Sequence, residues 1–313
     1  MEKTSDRFID KLIVMLTTLW LGSFTVFSTE TWGKYVYLGL TVVIFGLGAI
    51  RNGWKVNIAI EPFHLCTILF LLYGFASYLW AIDGTYTIKR MSTVAQTLIC
   101  MYFVYTYYRD DEDSRRLLDC VMWAGYIVAI YAIYYYGLDT IRSLIAAGDR
   151  IDNEFTNVNA IGMMAAYSLI ITFSKIINKH FSISLIFSVP ALLMVIASGS
   201  RKAFIILLFG IFFVYMTRSI GQSTKPAETI LKFVLVCIVG VLAVMAIWSI
   251  PAFRPVTERL LQTLNQFTGQ GRVDESTMRR AWFIEIGLEQ FFKTPIQGIG
   301  IGNSLFIIGR DTY

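Results

Sequence analysis

Cations at four places in a chain of low overall charge carry its most legible chemistry. They are the adjacent pair Arg201–Lys202 in "ASGSRKAF", Arg150 in "AAGDRIDNEF", and Arg272 and the pair Arg279–Arg280 in "GRVDESTMRRAW". A guanidinium is a planar fork that makes paired, charge-assisted hydrogen bonds to phosphate oxygens, so this set points to a bound phosphate-bearing anion. Any one of these cations, taken singly, equally suits a long side chain that snorkels its charge to lipid headgroups.

Other chemistry is sparse. The four cysteines, Cys66, Cys100, Cys120 and Cys237, all fall in apolar runs, where buried thiols behave as small hydrophobes, and no pair has metal-ligand spacing. The two histidines are His64 and His180. The string "PIQGIGIGNS" places Gly298, Gly300 and Gly302 in alternation, but it departs from the G-x-G-x-x-G spacing of a nucleotide loop and has no strand–helix–strand context. It is expected to form a turn or a close backbone approach. No metal, nucleotide or nucleic acid is predicted.

The elements that must carry these residues follow from composition. Of 313 residues, 56% are hydrophobic and 16% charged, and the mean hydropathy is +0.59. A soluble domain rarely carries so little charge. Apolar runs repeat along the chain, each near the roughly 20 residues that a helix needs to cross a hydrocarbon core. The sequence predicts an all-α, polytopic transmembrane bundle with nine spans, over 12–28, 35–50, 63–80, 91–107, 117–136, 157–174, 183–198, 203–217 and 230–249. The first run, after Lys11, lacks a small-residue cleavage pattern and is read as a retained span. Pro190 falls inside the seventh, where neighbouring helices are expected to satisfy the carbonyl it frees.

Short cytoplasmic loops are enriched in Lys and Arg. With the N-terminus inside, thirteen Lys and Arg fall in cytoplasmic segments and seven in the outer short loops; the remaining seven lie after the ninth span, in a segment too long to vote. The predicted orientation is N-terminus in and C-terminus out. That puts Arg201–Lys202 outside, against the bias of the other loops, on one face with Arg150, Arg272, Arg279 and Arg280. The span centres carry no Asp, Glu, Lys or Arg; Glu61, Asp119 and His64 map near cytoplasmic ends. Ion-coupled transporters usually place ionisable groups at mid-depth, which counts against a transporter.

Two domains are expected, a transmembrane helical domain over 1–249 and an extracytoplasmic segment over 250–313. In the latter, "STMRRAWFIEIGLEQFFK" reads as an amphipathic helix, with Ser276 as N-cap and Met278, Ala281, Ile284, Leu288 and Phe291 at helical spacing. Glu285 and Glu289 argue against a tenth span, and the helix should stop before Thr294–Pro295. Trp80 and Trp282 suit either stacking on sugar rings or anchoring at the membrane interface.

An "SR" at the outer end of a span (Ser200–Arg201), an "N-x-N-A-x-G" entering a span ("NVNAIG", 157–162) and a late "R-x-x-W … P-x-x-G-x-G-x-G-N" (Arg279 through Asn303) together resemble the O-antigen ligase and polymerase superfamily of membrane glycosyltransferases. The resemblance implies a metal-independent enzyme of the bacterial cytoplasmic (inner) membrane, active on its extracytoplasmic face. It would transfer glycan from an undecaprenyl-pyrophosphate-linked oligosaccharide to an acceptor hydroxyl. Arg201 and Arg279 would be the catalytic cations, stabilising the departing pyrophosphate. Arg150, Asn159, Lys202, Arg272 and Arg280 would bind substrate. The implied cofactor set is empty, and the implied partners are membrane lipid, a chain-length regulator and a flippase.

The family also places a histidine, followed by asparagine, soon after the glycine motif as the acceptor's base. His64 and His180 map to the cytoplasmic side, and the sequence ends at "GRDTY", about where that histidine is expected. The expectation is a C-terminally truncated member, with enzymatic activity belonging to the full-length protein and only Asp311 or Tyr313 as substitutes for the base. The leading functional expectation is a polymerase of O-antigen, capsule or exopolysaccharide. The alternatives are a ligase to a lipid or protein acceptor, a transporter or flippase of lipid-linked glycan, and a non-catalytic assembly subunit.

Overall fold

In the computed structural model the described residues are 2–27, 32–52, 60–108, 111–147, 149–152, 156–178, 183–222, 275–308 and, between 222 and 275, only positions 228, 230–235, 238, 240, 245, 249–250, 253, 257–258 and 261. Among them every regular element is helical. The helices are α1 (Glu2–Val26), α2 (Gly33–Arg51), α3 (Pro62–Ala76), α4 (Gly84–Tyr107), α5 (Asp111–Tyr136), α6 (Leu138–Ala147), α7 (Val158–Ile177), α8 (Ser188–Ala197), α9 (Arg201–Gln222), α10 (Glu275–Lys293) and α11 (Ser304–Ile308). Short 3-10 turns occupy Ser77–Leu79 and Ile183–Leu185.

Among the described residues, five helices are long and apolar enough to cross a membrane: Phe8–Val26, Pro62–Leu79, Glu112–Tyr136, Val158–Ile177 and Arg201–Ser219. Shorter apolar helices cover Tyr35–Arg51 and Ser188–Ala197. Seven of the nine predicted spans fall on these seven helices; the fourth, 91–107, lies on α4, which is in neither set, and half of 230–249 lies outside the described residues. Helix α6 was not expected; Gly137, at φ +80°, separates it from α5.

The chain divides into two compact units, residues 1–47 with 110–264 and residues 48–109 with 265–313. The first has its core on α5, α7, α8 and α9, around Met122, Tyr126, Ile161, Ala165, Met194 and Leu207. Small residues let these helices approach closely. A Cβ on Gly125 would collide with Met164 and Ser168 of α7, and one on Gly210 with Ile170. Close approach at small residues is how helices associate where surrounding lipid is as apolar as their side chains. Cys120 is buried and its thiol donates to the Val14 carbonyl at 3.4 Å; Cys100 is buried in α4, whereas Cys66 on α3 is exposed.

The seventh predicted span is not one continuous helix. Helix α8 has 10 residues, about 15 Å, roughly half of a hydrocarbon core. Its first residue, Ser188, meets α5 part-way along, with its hydroxyl 3.2 Å from the Tyr126 hydroxyl. Tyr126 also bonds Thr172 of α7, and Ser168 donates to the Met122 carbonyl at 2.8 Å. Tyr126, Thr172, Ser184 and Ser168 are all buried. Pro190 is the third residue of α8, where an N–H has no intrahelical acceptor, so it breaks no helical bond. The expected repair by neighbouring helices is not required.

In the second unit, α3 and α4 are joined by the Ser77–Leu79 turn, and the segment after α10 packs on that corner. Asp83 caps α4 by accepting from the Tyr86 N–H at 2.9 Å. Helix α10 begins at Glu275, so Ser276 lies inside its first turn rather than capping it, and it ends at Lys293, ahead of Thr294–Pro295 as the proline predicts.

Candidate functional site

Three sequence motifs meet at one end of the first unit. Asn157 is the N-cap of α7, its side chain accepting from the Asn159 N–H at 3.0 Å, so the "NVN" spacing is that of a cap and its second helical residue. Gly162 lies against the "SGS" turn between α8 and α9: a Cβ there would stand 3.0 Å from Ser198 Cβ and 3.1 Å from Ala203 Cβ. The turn itself is closed by its own side chains. Ser198 Oγ accepts from the Ser200 N–H at 3.2 Å, Ser200 Oγ accepts from the Ala203 N–H at 3.3 Å, and Gly199 adopts φ +54°. Ser198 and Ser200 are buried.

Arg201 and Lys202 are therefore the first two residues of α9, Arg201 half-buried and Lys202 exposed. The segment carrying Arg150 is fastened alongside. The Ile151 N–H donates to the Ala197 carbonyl at 3.1 Å, Ile151 is fully buried, and the Tyr136 hydroxyl donates to the Asp152 carbonyl at 3.0 Å. Thr156 donates to the Thr25 carbonyl at 2.8 Å, which sets the end of α1 at the same level. Arg150 and Asn159 are half-buried. The structure thus brings the Arg150, Asn159 and Arg201–Lys202 segments together at one end of the unit.

The opposite end carries paired charge. Arg116 bridges Glu112 at 2.7 Å, Asp113 at 2.9 Å and Asp10 at 3.8 Å; Lys175 pairs with Asp119, and Arg218 bonds the Ile177 carbonyl and Asn178 Oδ1. The first turn of a helix favours negative charge, and two cations there cost about 0.3–1 kcal/mol each at exposed sites. Arg201 and Lys202 are placed where the α9 N–H groups already attract an anion.

Arg279 and Arg280 are exposed residues of α10, in the second unit. Arg272 lies outside the described residues, as do His180, Asp311 and Tyr313. Arg279 stands one turn before Phe283. Phe283, Ile286, Gln290 and Phe291 line an open pocket of about 380 Å³ together with Tyr73, the 294–299 segment, Ser304 and Ile307.

The glycine string is a turn, as expected. Gly298, Gly300 and Gly302 have φ of +64°, +89° and +83°. A side chain on Gly300 would also press on Ala81 Cα at 2.7 Å, so only glycine satisfies both the backbone and the contact. The residue that fastens this turn closes the late sequence motif, in which it has no assigned role. Asn303, fully buried, accepts from the Asp83 N–H at 2.7 Å and donates to Thr87 Oγ1 at 2.6 Å; the Thr87 hydroxyl donates onward to the Ile301 carbonyl at 3.2 Å. Around it, the Ile301 N–H donates to Ser77 Oγ, the Tyr73 hydroxyl to the Ile296 carbonyl, and the Trp80 indole to the Gln297 carbonyl at 2.7 Å. Trp80 is thus engaged in this docking, while Trp282 is 41% exposed.

His64 accepts from the Glu61 N–H at 2.9 Å, and Tyr105 donates to Glu61 Oε1 at 2.7 Å, so both belong to the cap of α3. Among the described residues, no group of three His, Cys, Asp or Glu side chains is arranged to hold a metal ion. No protein-family model matches the chain, and neither a curated protein nor a solved structure matches it significantly.

Proposed function

We propose that the protein is a surface-polysaccharide polymerase of the bacterial cytoplasmic membrane, transferring glycan from an undecaprenyl-pyrophosphate carrier to an acceptor sugar on the outer face. The observation that carries this reading is the fastening of the Arg150 segment and Arg201–Lys202 to one end of an apolar helical unit, with both cations on the α9 N-terminus. In the transfer, the acceptor oxygen bonds to the anomeric carbon and the carbon–oxygen bond to pyrophosphate breaks. The electron pair stays on the pyrophosphate, and the acceptor proton passes to a base. Arg201 neutralises the charge that develops on the leaving group, and Arg150, Asn159 and Lys202 hold the donor. The parts of Arg279 as a second catalytic cation and of Arg272 and Arg280 as donor ligands rest on the sequence resemblance alone.

The nine-span, N-in arrangement is part of the proposal. One part of it, an even number of crossings between residues 73–87 and 296–303, is supported by the docking of the one segment on the other, which needs both on one side of the membrane. Spans four to nine provide six. The test is made in cells that depend on this protein for polymer. Arg201→Ala and Arg279→Ala are each expected to abolish polymer while lipid-linked single repeat units accumulate. Polymer of normal length in both variants would overturn the assignment.

A further inference from the structure

Helix α10 was expected to be amphipathic, yet its apolar stripe is uncovered. Ile284, Leu288, Phe291 and Phe292 recur at i, i+4, i+7 and i+8 and are 63%, 52%, 55% and 76% exposed. At 3.6 residues per turn they share an arc of about 100°, and Arg279, Arg280, Glu285, Glu289 and Lys293 all fall outside it. Ile296, just beyond the helix, is 86% exposed.

We propose that α10 is an interfacial helix lying in the lipid leaflet, its Ile284–Leu288–Phe291–Phe292 stripe sunk among the acyl chains. Two observations select lipid as the occupant. First, the segment following α10 is bonded to the C-terminal part of a helix long and apolar enough to cross a membrane: Tyr73 and Trp80, the residue types that mark membrane boundaries, donate to the Ile296 and Gln297 carbonyls. That holds α10 at the level where α3 leaves the hydrocarbon. Second, the uncovered surface continues onto α3, where Leu72 is 62% and Leu79 80% exposed beside the Tyr73–Ile296 contact. A helix with one apolar face and cations off that face partitions into this zone, the cations reaching headgroup phosphates. The inference does not rest on the transfer reaction, and its consequence is to set Arg279 at the depth of lipid phosphates.

The experiment uses the full chain, with its four cysteines replaced, reconstituted in phosphatidylglycerol–phosphatidylethanolamine vesicles. Single cysteines at Ile284, Leu288 or Phe292 and, on the polar arc, at Glu285 or Glu289 are labelled with an environment-sensitive fluorophore. Labels on the stripe should emit at shorter wavelength and be quenched by spin-labelled acyl chains but not by iodide. Labels at Glu285 and Glu289 should show the reverse. Iodide quenching at the stripe positions would overturn the proposal, and so would protection from both quenchers, which would mean that protein covers the stripe. Three separate stripe positions keep the test decisive if one variant fails to fold.

Discussion

Gly162 of α7 and Ser198 of the SGS turn are in direct contact, and a single added methyl on Gly162 would stand 3.0 Å from Ser198 Cβ. The turn that presents Arg201 is therefore seated against the start of the helix that carries Asn159. Gly162→Leu should lift the turn off α7. Overpacking of this kind costs about 1–3 kcal/mol, so the expected result is a lower melting temperature in detergent together with loss of polymer. Gly162→Ala should be milder on both measures, and an unchanged melting temperature for the leucine variant would contradict the packing.

Arg201 and Lys202 are neighbours with different expected weights. Arg201 is half-buried and can present two parallel N–H groups, whereas Lys202 is exposed. Arg201→Lys keeps the charge but loses the fork, and a lost charge-assisted pair amounts to about 1.5–3 kcal/mol, or roughly 10- to 100-fold in affinity for a polyprenyl pyrophosphate. Lys202→Gln should weaken binding far less. Titration of purified protein with a fluorescent polyprenyl pyrophosphate measures both, and equal losses would remove the distinction.

Tyr126 ties the start of α8, through Ser188, to Thr172 of α7. Tyr126→Phe keeps the ring against Trp123 and Phe187 but removes the hydroxyl, leaving buried polar partners short of a bond at a cost of about 1–3 kcal/mol. Hydrogen exchange should rise in 183–191 while α1 and α5 stay protected. Unchanged exchange there would show that the hydroxyl does not hold the half-length helix.

Asn303 tests the docking of the glycine turn. Asn303→Leu orphans the Asp83 N–H, again at about 1–3 kcal/mol, and should expose 295–303 to proteolysis. Asn303→Asp retains the acceptor for Asp83 but loses the donor to Thr87, so its effect should be intermediate. Equal protease resistance in all three proteins would sink this role.

The length of the apolar runs made most helices legible, because each is near what a helix needs to cross a hydrocarbon core. Periodicity did so for α10, and the stop before Pro295 followed from backbone sterics alone. The shortness of α8 was not legible. Its apolar run continues through Ile183–Phe187, and only the Tyr126–Ser188 bond shows where the helix starts. Asp83 before Gly84 is a readable cap, yet the partner of its N–H lies 220 residues away, and no local spacing announces such a pair. The cation clusters were legible as types, whereas the SGS turn that orients Arg201 needed its two serine caps to be seen. The exposure of the α10 stripe was likewise beyond a helical wheel, which shows that a face is apolar but not what it meets.

The bond between Asp83 and Asn303 also sets a schedule. A ribosome adding about 5–20 residues per second takes roughly 10–45 s to travel from one to the other. For most of that interval α3 and α4 are already made, while the Asp83 N–H, the Ser77 hydroxyl and the cleft beside Met91 still lack the strap that fills them. The second unit is thus completed from its two segments only after the larger part of the first, residues 110–264, has been synthesised between them. A nascent chain that stalls before Asn303 would contain every helix from α1 to α10 and still leave that corner unlatched.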